Sequence, residues 1–277
     1  MVSKIKPPRR FDIHLSAGRL EAFWIGPEPE DAPTLIFLHE GLGCAALWRD
    51  IPARLVEMTG CGALVFSRLG YGGSDPCPLP RPIDFMHHEG QVVLPDVIRQ
   101  CKIRHHVLIG HSDGGSIALI NAGSCPAPGL AGLVTLAAHV FCESITRHSI
   151  EDARRRYLTE DLKARLAVYH GENTDCAFWG WNDVWLRPDF AHWNIEAFLP
   201  AIQVPVMAIQ GEDDPYGSPA QVDAIRDGKK SAVDVRMIAD CGHAPHLERG
   251  DHVLPIVRDF VRHSKLAMDS ESIGMGT

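Results

Sequence analysis

The sequence predicts an α/β protein: a mostly parallel, eight-stranded sheet with helices on both faces and one helical insertion. Three observations predict it. Continuous apolar runs at Thr34–Leu38, Ala63–Phe66, Val107–Ile109, Leu133–Ala137, Val204–Ile209 and Val233–Ile238 have the character of strands buried on both faces. Segments with apolar residues at helical spacing separate several of these runs, so the connections are crossovers and the strands parallel. Between residues 143 and 201 the alternation stops, and no strand-like run occurs over roughly sixty residues.

In chain order, Phe11–Leu15 alternates with period two and Leu20–Ile25 follows the turn signal Ala17-Gly18, which predicts a hairpin. Leu47, Ile51, Leu55 and Met58 recur on one helical face, with Pro52 tolerated in the first turn. Within the insertion, Ser149-Ile-Glu-Asp152 reads as a capping box, Thr159 as the start of a second helix ending at Gly171, and Asn173 or Thr174 as the cap of a third. Val253, Ile256, Val257, Phe260 and Val261 mark a last helix expected to begin near Pro255. The predicted organisation is a core domain over 1–142 and 202–277, with a helical cap over 143–201.

Composition excludes several function classes. With 277 residues, 45% hydrophobic and 22% charged, the chain is neither disordered, collagenous nor a coiled coil. A net charge of −8 offers no broad basic face to phosphates, so no nucleic-acid partner is expected. No apolar stretch approaches the ~20 residues that span a bilayer, and the basic N-terminal segment lacks the apolar run of a secretory signal. No membrane association is expected. Eight scattered cysteines without a CxxC pair fit reduced thiols, hence a cytoplasmic location. His87-His88 and His105-His106 lack the i, i+4 geometry of helical metal ligands, so no metal is assigned.

The chemistry concentrates at Val107-Leu-Ile-Gly110-His111-Ser112-Asp113-Gly114-Gly115, a strand, then G-x-S-x-G, then an apolar helix. Glycines at 110 and 114 permit a sharp strand-to-helix turn that lifts Ser112 above the sheet and aims the next helix's N-terminus at it. A bare pentapeptide of this kind also occurs by chance; the strand before it and the helix after it make the signal specific.

At these residues the chain resembles the α/β-hydrolase family, over nearly its whole length from Phe11 to about Lys265. The resemblance implies a nucleophile, an acid and a histidine in that chain order. Gln210-Gly211-Glu212-Asp213-Asp214-Pro215 is similar to the family's acid turn, which places the acid at Asp214, with Asp213 as its neighbour and competitor. Glu143, after the preceding strand, is the fallback acid. Asp240-Cys-Gly-His243-Ala-Pro-His246-Leu-Glu248 matches the family's histidine stretch and makes His243 the base, leaving His246 a structural hydrogen bond. An oxyanion needs donors: the N–H of Asp113, and the N–H of Gly41 in His39-Glu40-Gly41-Leu42-Gly43. Glu40 departs from the glycine common there and is either a solvated or ion-paired loop carboxylate or a pocket residue. Family members that open epoxides or remove halides carry Asp at the position of Ser112; here Asp113 comes one position late, its side chain expected to point away from the site. Cofactor-free hydrolysis is expected.

Four of the six tryptophans, at 179, 181, 185 and 193, lie in the insertion. Trp179, Trp181 and Trp185 either roof a pocket for an apolar or aromatic acyl group or knit the insertion to the core. His139, after the Leu133–Ala137 run, is a pocket anchor or a structural histidine. The expected partner is a small-molecule substrate, and both monomer and homodimer remain open. A carboxylic ester or lactone is the first choice of substrate; C–C cleavage of aromatic ring-cleavage products, enol-lactone hydrolysis, and a slow-turnover ligand receptor are the alternatives on the same scaffold.

Overall fold

The computed structural model describes residues 7–274, with side chains described as far as Ser264. Eight strands form one sheet: β1 (Arg9–Leu15), β2 (Gly18–Ile25), β3 (Thr34–Leu38), β4 (Gly62–Phe66), β5 (His106–His111), β6 (Leu130–Leu136), β7 (Val206–Gly211) and β8 (Val233–Ile238). Their order across the sheet is β1-β2-β4-β3-β5-β6-β7-β8. β1, β2 and β4 pair antiparallel, and every pairing from β4 to β8 is parallel. The hairpin is as expected, with Leu15 opposite Gly18 at its turn. β3, β4, β5 and β7 are buried along their whole length, which is why they read as unbroken apolar runs.

Among the described residues ten α-helices accompany them: α1 (Ile51–Thr59), α2 (Phe85–His88), α3 (Leu94–Gln100), α4 (Asp113–Ser124), α5 (Ser144–Thr159), α6 (Leu162–His170), α7 (Thr174–Leu186), α8 (Ala220–Gly228), α9 (Pro245–Glu248) and α10 (Gly250–Gly274). Two apolar layers enclose the sheet. One face packs under α3, α4 and the insertion through Ile36, Leu108, Leu133 and Ile117. The other packs under α1 and α10 through Phe37, Val107, Val134 and Val257.

Three expected boundaries shift. Ser149 does not open a helix; it lies inside α5, and its hydroxyl donates to the Pro215 carbonyl at 2.5 Å. Thr159 closes α5 rather than starting α6. Asn173 does stand at the start of α7 as expected, but its amide donates to the carbonyls of Gly72 and Ser74 instead of capping the helix. A partner elsewhere in the chain outcompetes the local cap in each of the two polar cases. α10 starts at Gly250 and carries Pro255 inside it. A proline there removes one backbone bond in the second turn, and burial of Val253 and Leu254 outweighs that loss.

Between β6 and β7 the chain leaves the sheet for α5, α6 and α7. Phe141 and Asn194 form a bridge where it departs and returns, flanked by bonds from Cys142 N–H to the Trp193 carbonyl (3.1 Å) and from Ile195 N–H to the Val140 carbonyl (2.7 Å). Rings hold the insertion together: Phe178 stacks on Tyr157 at 3.6 Å, and Phe190 stacks on Trp193 at 5.3 Å. His170 latches it to the core. Its Nδ1 accepts from Gly72 N–H and its Nε2–H donates to the Leu42 carbonyl, both at 3.0 Å.

Five histidines, His39, His106, His139, His170 and His246, are at most 3% exposed. Burial holds His106 at about 4 and His139 at about 3, His39 and His246 well below the ordinary range, and His170 below it. Each therefore stays neutral in the folded chain and takes up a proton only on unfolding once the pH drops below ~6.5. Their contribution is fully present above that pH and is lost as pH falls toward the folded values. His111, raised by Glu40, works in the opposite sense. Urea unfolding at pH 5.5 should give a stability roughly 4 kcal/mol below that at pH 7.5, about 1 for each of the five neutral histidines less His111. Equal midpoints at the two pH values would contradict the burial argument.

Candidate active site

β5 ends at His111 and α4 begins at Asp113, leaving one residue to reverse the chain. That residue, Ser112, has φ 51° and ψ −119°, a conformation L residues avoid. The turn is held by its surroundings: Ser112 N–H donates to the Leu136 carbonyl at 2.8 Å, and a side chain at Gly114 would collide with the Leu38 carbonyl. The effect is to stand Ser112 Oγ above the carboxyl ends of the strands.

His243 follows β8 and Asp214 follows β7. Ser112 Oγ donates to His243 Nε2 at 2.9 Å, and His243 Nδ1–H donates to both Asp214 oxygens at 2.9 Å. Burial pushes the Asp214 carboxyl up, but its bonds to His243 and to Tyr216 N–H outweigh that and hold it below the usual carboxylate range. The His243 turn is clamped by Glu248, which accepts from Gly242 N–H (2.7 Å) and Ala244 N–H (2.9 Å) on either side of it.

The loop after β3 is set by neutral His39. Arg68 N–H donates to its Nε2 at 3.0 Å, so Nδ1 carries the proton and donates to the Glu40 carbonyl at 2.8 Å. Arg68 Nη2 also donates to the carbonyls of His39 and Glu40. Gly41 and Asp113 both line the cavity beside Ser112. Asp113 is the first residue of α4, so its N–H has no partner within the helix.

Comparisons with known proteins bear on the same arrangement. A model of the alpha/beta hydrolase family matches residues 35–254. The chain belongs to the alpha/beta hydrolase family. Like the family it is a hydrolase. It is 26% identical to the human "Serine hydrolase BPHL" over 202 residues, 70% of this chain and 67% of that one. Among solved structures, VinJ superposes with a TM-score of 0.72 at 23% identity, covering 93% of this chain and 99% of that one. A thermophilic esterase from Thermogutta terrifontis superposes with a TM-score of 0.70 at 18% identity, covering 93% and 99%.

Set within this hydrolase fold, the remaining sequence candidates separate. Asp213 is exposed, while Asp214 meets His243. Glu143 is occupied elsewhere: its carboxylate accepts from Ser218 N–H, Ser218 Oγ and Gln221 Nε2 at 2.6–3.0 Å. Glu40 is both a cavity residue and an ion-pair partner, 3.3 Å from His111 Nδ1. His111 Nε2–H donates to the His243 carbonyl at 2.8 Å, so the Glu40 carboxylate faces a second N–H only if His111 is charged. Burial opposes that charge, and the bond to Glu40 overcomes it and raises His111. This pair joins the serine turn, the loop after β3 and the histidine turn. His246 departs from the expected hydrogen bond, since its Nδ1 has no partner among the described residues and its ring packs on Trp48 and His111.

Asp113 lines the cavity, and its side chain is buried 4.0 Å from Arg68, whose charge opposes the upward push of burial on its carboxyl. Neither of its carboxylate oxygens has a hydrogen-bond partner among the described residues. Trp185 is part of the cavity wall. His139 lies on that wall too, 5.8 Å from the His243 ring and 5.3 Å from Trp185.

The cavity measures about 110 Å³. Trp181 and Trp185 roof it with Thr146 and Ile150 of α5, and Leu42 and Tyr216 complete it. Trp179, expected beside them, is outside: Arg154 lies over it at 5.5 Å and it meets Tyr157 edge-on. Residues 179 and 181 are two apart and so face different sides of α7. Sequence reasoning missed Thr146, Ile150, Tyr216, Leu42 and His111. Only Thr146 and Ile150 carried a signal, being four apart on one helix face just past a strand end.

Proposed function

We propose that the chain hydrolyses a carboxylic ester or lactone with a small, apolar acyl group through a covalent acyl-enzyme. The carrying observation is the unbroken hydrogen-bond chain from Ser112 through His243 to Asp214 at the wall of an apolar cavity. With Nδ1–H committed to Asp214, His243 presents a free Nε2 lone pair to the serine hydroxyl. Ser112 Oγ attacks the carbonyl carbon as His243 takes its proton, and the N–H groups of Asp113 and Gly41 bind the resulting oxyanion. The imidazolium, stabilised by Asp214, returns the proton to the departing alkoxide. Water then attacks the acyl-enzyme by the same route and frees the serine.

The cavity limits the acyl group. An engineered apolar cavity of about 150 Å³ takes benzene; at about 110 Å³ this one favours short acyl groups over long ones unless the roof moves. The test is a panel of p-nitrophenyl esters of increasing acyl length, lactones and vinylogous diketones. Short esters should be turned over fastest, with a burst of nitrophenol equal to the protein present. Turnover confined to the diketones would move the assignment to C–C cleavage; tight binding without turnover would make the chain a receptor.

The two tryptophans of the roof differ from Trp179 in what they should do. Trp181→Ala enlarges the cavity directly above Gly41, whose Cα the indole touches closely enough to exclude a methyl group. It should raise the ratio of kcat/KM for long against short acyl esters by roughly 10–200-fold. Trp179→Ala should leave that ratio unchanged. A uniform loss on every ester with a lowered Tm in Trp181→Ala would show that this indole only packs.

A further inference from the structure

Cys77 and Cys176 lie 99 positions apart, one in the core loop after Asp75 and the other in the first turn of α7. Their sulfurs are 3.4 Å apart, and Cys176 Sγ also reaches the Cys77 carbonyl at 3.5 Å. Both are partly exposed, whereas Cys44, Cys61 and Cys241 are buried. The pair sits over Gly70: a methyl group there would meet Cys77 Sγ at 2.7 Å and Cys176 Sγ and Arg81 Nη2 at 2.9 Å. Glycine at 70 therefore leaves room for two thiols beside a guanidinium that is itself only 6% exposed.

We propose that Cys77 and Cys176 are a peroxide-sensitive modification site, closing to a disulfide that fastens α7 to the core. A disulfide needs about 2.05 Å between sulfurs, so closure requires a further 1.4 Å or so, within reach of a side-chain rotation at Cys77 in its exposed loop. The Arg81 guanidinium beside the two sulfurs favours a thiolate at the pair. The thiolate of one cysteine attacks one oxygen of hydrogen peroxide, the O–O bond breaks, and hydroxide leaves to give a sulfenic acid. The sulfur of the other cysteine then attacks the sulfenic sulfur, its proton passing to the departing hydroxide as water. Two thiols and one peroxide give one disulfide and two waters. In a reducing compartment the open form prevails, and the closed form appears on oxidative exposure.

The consequence is a tether on the helix that carries Trp181 and Trp185. Cross-linking a loop of this length should raise Tm by roughly 5–10 °C, reversibly with dithiothreitol. The experiment treats the whole chain with hydrogen peroxide and reads intact mass, the linked peptides and Tm. The expected result is a loss of 2 Da, a Cys77–Cys176 linked peptide and the Tm rise, all absent in Cys77→Ser and Cys176→Ser. A 16 or 32 Da gain at either cysteine without linkage, linkage between other cysteines, or a linked protein with unchanged Tm would each overturn the proposal. None of these readouts depends on the substrate, so they stand apart from the hydrolase reading.

Discussion

Ser112→Ala should lower kcat on the best p-nitrophenyl ester by on the order of 10⁶, with far-ultraviolet dichroism unchanged and Tm not lowered. The magnitude is that of removing the nucleophile from a serine protease triad, where the residual rate comes from oxyanion binding. Two features make the substitution clean. The Ser112 hydroxyl bonds only to His243 Nε2 among the described side chains, so its loss leaves no buried partner desolvated at the bottom of the site. The strained backbone at φ 51° is imposed by Gly110, Gly114 and the Leu136 carbonyl, and an alanine Cβ occupies the position the serine Cβ already holds. Phosphonylation by a fluorophosphonate should move from complete to absent in the same variant. A variant that kept a tenth of the activity, or that was still labelled, would remove Ser112 from the role of nucleophile.

Asp214→Asn should lower kcat by roughly 10⁴ while KM changes little. An asparagine amide donates a hydrogen where the carboxylate accepted one, so the imidazole turns to the tautomer with its proton on Nε2, facing Ser112. Both Asp214 oxygens lie 2.9 Å from Nδ1, so no nearby acceptor can take over without moving the ring. Asp213→Asn should be close to wild type because that carboxylate is exposed. Glu143→Gln should lower Tm rather than kcat, since its three bonds hold the segment Ser218–Gln221. A larger kcat loss in Glu143→Gln than in Asp214→Asn would transfer the acid to the strand before.

The strands β3, β4, β5 and β7 were legible because burial on both faces leaves an apolar run, the β1–β2 hairpin because alternation and a turn signal mark it, and the turn at Ser112 because its glycines are local requirements of a tight reversal. β8 was found as a strand but is only partly buried, not covered on both faces. Asp214 and His243 were legible only through the resemblance of two turns after strand ends to those of the family. What escaped is what the sheet brings together from a distance. The Glu40–His111 contact spans 71 positions, and nothing near either residue announces the other. The start of α5 failed for the same reason: Ser149 has the chemistry of a cap, but a distant carbonyl claimed it. The start of α7 was placed correctly at Asn173, although that side chain too is drawn to distant carbonyls. Tryptophans 179, 181 and 185 were indistinguishable by composition, and only the rotation of α7 sorted them into one outside the cavity and two above it.

The bridge between Phe141 and Asn194 has a consequence for how such an enzyme can change. Because departure and return are sewn together there, the sheet meets the fifty-odd residues beyond that stitch much as it would meet a short hairpin. The strands, the serine turn and the histidine turn are assembled on one side of it; the tryptophans that roof the cavity, Trp181 and Trp185, are on the other. A segment of different length and shape could replace this one, provided its two ends met at the same stitch, without disturbing the register of β6 against β7.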